Sequence, residues 1–284
     1  MTKELQRKVD FAIKLIQSAS KKAEEHGQPI EVCYSGGKDS DVILELTQMA
    51  NVPYRAIYKN TTIDPPHTIA HCKENGVEIH QPKMRFFDAV KQRGFPTRRV
   101  RFCCSILKEY KILDYAILGI RRTESVARAK RYHEPEQCRV YSKKEKCRQY
   151  FPILEWSDAD VYAFIQERGI KCHPLYYDNS TPPQFLVTQR LGCLGCPLQS
   201  DNGLADFKRY PNLVKAWCKA GQAWLDTHPN ARCHKKFKDA YELFTHNVFF
   251  DSYGEFKRTI SGGLFDKGID SKQFLEDYFN IRFD

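Results

Sequence analysis

The sequence predicts an α/β fold, a doubly wound and mainly parallel sheet with a helical C-terminal extension. Three observations predict it. Apolar runs of strand length alternate with amphipathic helical segments as far as Arg168; a Gly-Gly turn joins the first run to the helix after it; and beyond Leu204 the alternation gives way to a helical, aromatic-rich pattern. Strands that alternate with helices pair in parallel through right-handed crossovers.

The elements follow in order. Leu5, Val9, Ile13, Leu15, Ile16 and Ala19 fall at helical spacing within 4–26, and Gly27 stops that helix. Residues 30–34 (Ile-Glu-Val-Cys-Tyr) read as a short buried strand, 35–39 as a Gly-rich turn and 39–50 as an amphipathic helix. The pattern repeats with a strand at 54–58, a helix at 66–74 stopped by Gly76, and a strand at 77–80. A helix at 104–114, an apolar strand at 115–119 and a helix at 157–168, opened by a Ser157 N-cap with Asp160 three residues on, complete the section. Trp217, Trp224, Tyr241, Phe244, Phe249 and Phe250 mark the extension as a packing layer. The expected division is an N-terminal helix at 1–28, the alternating domain at 29–203 and the extension at 204–284, with no internal repeat or low-complexity linker.

With 284 residues and 42% hydrophobic content the chain can bury a full core. No stretch approaches the roughly 20 apolar residues that span a bilayer, and Met1-Thr2-Lys3-Glu4 opens no secretory signal, so no membrane association and a cytoplasmic location are expected. Eleven cysteines in such a chain point to thiols and metal ligands rather than to a disulfide framework. The formal charge of +10 favours polyanionic partners, free nucleotides or nucleic acid.

Ser35-Gly36-Gly37-Lys38-Asp39-Ser40, set between a strand and a helix, is suited to phosphate. The glycines bring successive N–H groups close to phosphate oxygens, the helix adds the positive end of its dipole, Lys38 is a mobile cation on an exposed loop, and Ser35 and Ser40 supply hydroxyls. The spacing is not that of a Walker A loop. In a doubly wound sheet this turn lies where ligands bind, beyond the carboxyl ends of the strands. The plainer reading is a simple turn between strand and helix.

Two close cysteine pairs stand 88 residues apart: Cys103-Cys104, and Cys193-Leu194-Gly195-Cys196. Four thiolates suit zinc or an iron–sulfur cluster, and adjacent cysteines fit a cluster, which offers several irons, better than one zinc ion. Ordinary buried thiols remain the alternative. Cys33, Cys72, Cys172 and Cys218 read as small core residues, while Cys138 and Cys147 lie in a charged loop where they could form a redox pair. Arg121 and Arg128, in the segment Gly119-Ile120-Arg121-Arg122-Thr123-Glu124-Ser125-Val126-Ala127-Arg128 after an apolar strand, are placed to face nucleotide or substrate; the alternative is a solvated basic helix paired with Glu124.

The hexapeptide resembles the PP-loop of the ATP pyrophosphatases, and the likeness to the phosphoadenosine phosphosulfate (PAPS) reductase family, of adenine nucleotide alpha hydrolase-like fold, runs from about residue 29 to about 200. It rests also on the arginine segment, on Phe151 to Val161 and on His173-Pro174-Leu175-Tyr176. The cysteines resemble the 4Fe-4S motif of the adenylylsulfate reductase branch. Asn60-Thr61-Thr62-Ile63-Asp64 stands where the family has its second nucleotide-contacting loop, making Thr62 a nucleotide contact, although this segment departs from the family's Asp-Thr-Gly-like pattern.

The resemblance implies cleavage of ATP between its α and β phosphates, with Mg²⁺, and adenylation of an acceptor for sulfur transfer. Lys38, Asp39 and Arg121 would be the catalytic residues, and Cys103, Cys104, Cys193 and Cys196 would hold a 4Fe-4S cluster, with zinc as the alternative. Lys38-Asp39-Ser40, together with a last cysteine at Cys233, resembles the ATP pyrophosphatase subunits of DNA phosphorothioation and, less closely, the cluster-bearing tRNA thiolases. It departs from the sulfonucleotide reductases, whose loop is degenerate and whose nucleophilic cysteine is C-terminal. A cysteine desulfurase and nucleic acid are the implied partners. The competing readings are a PAPS or adenylylsulfate reductase, and a nucleotide-gated nucleic-acid-binding module whose cysteines are structural. His173 is read as part of a structural turn, with catalysis as the alternative.

Overall fold

The computed structural model describes residues 1–262 and 268–283. In chain order the elements are α1 (Lys3–Glu24), β1 (Ile30–Tyr34), α2 (Lys38–Ala50), β2 (Tyr54–Lys59), α3 (Thr68–Glu74), β3 (Glu78–His80), α4 (Phe86–Arg93), α5 (Phe102–Leu107), β4 (Tyr115–Leu118) and α6 (Val126–Arg131). Then come β5 (Glu136–Val140), β6 (Lys146–Tyr150), α7 (Asp158–Arg168), α8 (Leu204–Arg209), α9 (Asn212–Thr227), α10 (Ala240–Phe249), α11 (Tyr253–Ser261) and α12 (Ser271–Phe279). They fall into two compact units, one of Met1–Asn60, Asp64–Gln81 and Glu109–Gly192, the other of Thr61–Ile63, Pro82–Lys108 and Cys193–Asp284.

The first unit carries a six-stranded sheet of order β3-β2-β1-β4-β6-β5. β1 runs parallel to β2 on one side and to β4 on the other, with Val32 level with Ala56 and Ile117, so chain direction across the sheet switches at β1 and β4. α1 buries Leu5, Val9, Ala12, Ile16 and Ala19 in the core, and its start is fixed by Thr2, whose hydroxyl accepts the Leu5 N–H at 3.2 Å. Leu5, Val9 and Ile16 each contribute on the order of 1.5–3 kcal/mol by burial. α7 has the expected capping box: Ser157 Oγ accepts the Asp160 N–H at 3.1 Å, and Asp160 Oδ2 accepts the Ser157 N–H at 2.8 Å.

The second unit is helical around an aromatic core of Phe86, Phe207, Trp217 and Phe244, with Phe207 and Phe244 centroids 4.9 Å apart. Among the described residues no helix is long and apolar enough to cross a membrane.

Three sequence expectations are revised. The helix expected over 104–114 closes at Leu107, because Glu31 Oε2 takes the Leu113 N–H (3.1 Å) and Gln28 Oε1 takes the Asp114 N–H (3.0 Å), drawing that stretch out as the lead into β4. The charged loop around Cys138 and Cys147 is the antiparallel hairpin β5–β6; with Cys138 level with Arg148 and Cys147 level with Arg139, the two thiols point to opposite faces and form no redox pair. The units also depart from boundaries at 28/29 and 203/204, since α1 packs into the sheet unit while 61–63 and 82–108 pack with the C-terminal helices.

Candidate nucleotide site and four-cysteine hollow

Tyr34 ends β1, and α2 begins at Lys38 with Gly37 as its N-cap, so Ser35-Gly36-Gly37 is the whole turn at the switch point of the sheet. Gly36 has φ +77°, a left-handed conformation that disfavours a side chain. Gly37 offers no side-chain cap; its carbonyl accepts the Ser40 and Asp41 N–H groups at 2.8 and 3.0 Å. Ser40 Oγ donates to Gly37 O at 2.6 Å and so holds the turn to the helix.

Lys38 is not an exposed cation: it is 3% exposed. Its Nζ donates to Gln189 O at 3.1 Å, lies 3.9 Å from Asp39 Oδ2 and sits 5.4 Å over the Tyr176 ring. Burial holds its pKa below the ordinary lysine value, against the opposing pull of Asp39.

Arg121 is also buried, at 1% exposure. Its Nε donates to Asp39 Oδ1 and its Nη2 to Asp158 Oδ1, both at 2.7 Å, while Nη1 donates to Thr123 Oγ1 at 3.1 Å. Arg128 pairs with Glu124, whose Oε2 also accepts the Arg121 N–H at 3.3 Å. Both arginines therefore rest on protein carboxylates: Arg121 has all three guanidinium nitrogens engaged, while Arg128 holds Glu124 through Nη1 and stays partly exposed. Burial lowers the Arg128 pKa, and Arg190 lowers it further.

Beneath the turn lies a buried polar group. Asp41, on the first turn of α2, accepts from Tyr34 Oη and stands 2.9 Å from His71 Nε2. His173 is fully buried; its Nδ1 accepts the Leu175 N–H at 3.1 Å, and its Nε2 lies 3.3 Å from Thr68 Oγ1, a structural-turn role. Burial pushes its pKa down to about 4 from 6.5. The folded state thus resists a proton that the unfolded chain takes up, so this contribution is unchanged above about pH 6.5 and turns destabilising as pH falls towards 4. His173→Asn retains an acceptor for Leu175 and is expected to remove about 2 kcal/mol of the stability lost between pH 7.5 and 5. Urea unfolding at the two pH values checks this; equal losses in both proteins would assign the loss elsewhere.

In the second unit, Cys103, Cys104, Cys193 and Cys196 line one hollow of about 30 Å³ with Thr61, Leu107 and Lys108 among its walls. α5 carries the first pair. The second lies in a loop tied down by Leu194 N–H to Ile63 O (2.8 Å) and Gly195 N–H to Asp206 Oδ2 (2.9 Å). Gly195 has φ +65°, and a Cβ there would meet the Phe207 ring at 2.5 Å. The Cys103 pKa is raised by its hydrogen bond with Cys104 and by burial, and that of Cys196 chiefly by burial, so a cation entering the hollow has protons to displace. No three His, Cys, Asp or Glu side chains among the described residues stand close enough to hold one metal ion. The four sulfurs share a hollow without forming a single-ion tetrahedron.

Thr62, with φ 61°, accepts the Phe86 N–H on its hydroxyl oxygen at 2.8 Å, at the start of α4 in the second unit. Sequence reasoning missed Asp158, which looked like one more first-turn acid, and the Gln189 carbonyl and Tyr176 ring around Lys38. A backbone carbonyl 151 residues away leaves no signal in composition or spacing.

The model of the phosphoadenosine phosphosulfate reductase domain family matches residues 29–199. An uncharacterised protein of Methanocaldococcus jannaschii is 27% identical over 224 residues, covering 72% of this chain and 44% of that one. Sulfate adenylyltransferase subunit 2 of a Mycobacterium species is 28% identical over 203 residues, covering 61% and 64%. The chain spans about half the length of the curated relatives it matches. Among solved structures, Candida glabrata FMN adenylyltransferase aligns at TM-score 0.46 and 17% identity over 68% of this chain and 62% of its own. The Candida auris PAPS reductase aligns at 0.41 and 16% (61% and 89%), and a U34-tRNA thiolase from Methanococcus maripaludis with its 4Fe-4S cluster at 0.38 and 15% (79% and 82%).

Proposed function

We propose, for a chain that belongs to the phosphoadenosine phosphosulfate reductase domain family, that it cleaves ATP between the α and β phosphates and adenylates an acceptor for sulfur transfer. The observation that carries this reading is the complete Ser35–Ser40 loop at the β1/β4 switch, with Lys38 and Asp39 on the first turn of α2. An enzyme that never breaks the α–β bond has no use for a cation aimed at departing pyrophosphate.

In this reading the loop N–H groups and the α2 N-terminus bind the triphosphate, and Lys38 exchanges the Gln189 carbonyl for a phosphate oxygen. Arg121 is a positioning residue that fixes Asp39 from its side. Asp39 would meet the Mg²⁺ carried in with ATP, which would supply further charge neutralisation. An acceptor oxygen attacks the α phosphorus, the bond to the bridging oxygen breaks, and pyrophosphate leaves with the electron pair. A sulfur nucleophile, supplied by a cysteine desulfurase, then displaces AMP from the adenylated acceptor, which is nucleic acid. Ser35, Gly36, Gly37 and Ser40 line the phosphates, and Thr62 and Arg128 contact the nucleotide.

Cys103, Cys104, Cys193 and Cys196 would hold a 4Fe-4S cluster, which, when bound, supplies a sulfur-compatible centre and a covalent staple. The donors are all soft thiols, and the adjacent Cys103 and Cys104 suit a cluster that offers several irons better than one zinc ion.

Relatives named sulfate adenylyltransferase subunit 2 favour a second reading in which the acceptor is sulfate. Anaerobically purified protein supplied with ATP, Mg²⁺ and either sulfate or an oligonucleotide is expected to release pyrophosphate, and the acceptor that stimulates release identifies the substrate. Thioredoxin-dependent sulfite from PAPS or adenylylsulfate, without pyrophosphate release from ATP, would replace the proposal with the reductase.

A further inference from the structure

The chain's positive charge is concentrated. Residues 82–108 hold eight Lys and Arg against a single Asp, a net +7 of the formal +10, whereas residues 193–284 of the same unit hold 13 against 12. All eight cations in 82–108 are exposed, from Lys83 to Lys108. Local packing explains this. α4 turns Phe86, Ala89 and Val90 inward and leaves Arg85, Lys91 and Arg93 outside, and α5 likewise buries only Phe102 and Leu107. Among the described residues Lys91 pairs with Asp88, while Lys83, Arg85, Arg93, Arg99 and Arg101 enter no salt bridge.

The centre of this stretch is a fixed turn. The Thr97 N–H donates to Val100 O at 3.1 Å, and the Val100 N–H donates to Thr97 Oγ1 at 3.0 Å. The Arg98 guanidinium donates to Gln199 O at 2.8 Å and to Asn202 Oδ1 at 3.2 Å, which pins the turn to the segment just after Cys196. Arg98 is thereby spent on neutral oxygens, and its neighbours Arg99 and Arg101 are held outward on an ordered backbone, two residues ahead of Cys103 at the hollow. Pinning like charges side by side without counter-charges opposes folding by mutual repulsion, and an anion is what relieves it. Five of the eight cations are arginines, whose planar fork matches phosphate oxygens in bidentate fashion.

We infer that the 83–108 stretch, with Arg99 and Arg101 at its centre, is a docking surface for the phosphate backbone of a nucleic acid, brought to the rim of the four-cysteine hollow. This deepens the reading of nucleic acid as the sulfur acceptor and rests on it for purpose, although the binding itself requires neither ATP nor a metal. A run of phosphates fits a surface with several separated cations and no enclosing pocket, and the contacts described are to the backbone, so little sequence preference is expected.

The test is fluorescence anisotropy with a labelled 20-nucleotide single strand, the matching duplex and poly-glutamate, at several salt concentrations, on the full chain without nucleotide. Wild-type protein is expected to bind an oligonucleotide with strong salt dependence. Arg99→Ala/Arg101→Ala should weaken binding at least about tenfold and lower the salt slope by roughly 1.4 on the single strand or 1.8 on the duplex, two phosphate contacts' worth. Its melting temperature, and pyrophosphate release from ATP at saturating oligonucleotide, should stay those of wild type, since the two side chains are exposed and enter no salt bridge among the described residues. Lys38→Ala should keep full oligonucleotide binding, so failure of the ATP reading and failure of this one give different results. Unchanged affinity and slope in the double variant would overturn the inference, as would poly-glutamate binding as tightly as the oligonucleotides, which would mark the surface for an acidic protein.

Discussion

Lys38→Ala is expected to lower pyrophosphate release from ATP by a factor of about 100 to 1000 while leaving a folded protein, a loss on the scale of removing one preorganised charge-stabilising group. Lys38 is the cation on the first turn of α2, and its burial to 3% exposure places its charge in a low-dielectric setting where it acts strongly on a phosphate. Its partners inside the protein are the Gln189 carbonyl and, at 3.9 Å, Asp39. Truncation removes a buried stem over the Tyr176 ring, while the depressed pKa shows that the charged form is held at a cost in the free protein; the two effects oppose, so the melting temperature should change little. Lys38→Met, which keeps the length of the chain without the charge, should be as inactive as the alanine variant. Lys38→Arg is not expected to rescue, because the Tyr176 ring and the Gln189 carbonyl shape a slot for a compact ammonium. Pyrophosphate release within twofold of wild type in either neutral variant would remove Lys38 from the reaction and with it the assignment of the loop.

Cys104→Ser or Cys193→Ser is expected to abolish iron binding together with the brown, oxygen-sensitive colour of anaerobically purified protein, and to lower stability by several kcal/mol. These residues come from segments 88 positions apart, so a cluster held at the hollow closes a long loop, and losing one ligand loses the staple. In protein purified without metal the same substitutions should cost little, because Cys104 and Cys193 are only partly buried and serine keeps nearly the same volume. The contrast between loaded and metal-free protein therefore separates ligation from packing. Iron and acid-labile sulfide assays, with unfolding followed in both states, check the outcome. Colourless wild-type protein carrying one zinc ion would replace the cluster, and equal destabilisation in both states would make the cysteines structural.

Much of the phosphate site was legible in the sequence because its signal is local. An apolar five-residue run, two glycines and a helix with a cation and an acid on its first turn lie within 21 consecutive residues, so hydrophobic period and turn chemistry specify the strand, the turn and the helix without reference to the rest of the chain. The Ser157–Asp160 capping box was legible for the same reason. The cysteines were legible as two close pairs, but not the one hollow that they line.

Contacts across sequence distance decided the remainder. That Arg121 clamps Asp39 and Asp158, 82 and 37 residues away, follows from β4 lying beside β1, and no periodicity records which strands will be neighbours. The hairpin β5–β6 reads as a charged loop because one of its strands lies at the sheet edge, where exposed charges are compatible with pairing. Lys38 looks like a loop cation until Gln189 and Tyr176 cover it, and nothing in the spacing of Thr62 shows that its hydroxyl oxygen accepts the Phe86 N–H. The sequence by itself determined which chemical groups are present and which local turns present them; the tertiary structure alone decided which are already satisfied by one another, because a hydrogen bond depends on where distant segments meet and not on how far apart they are written.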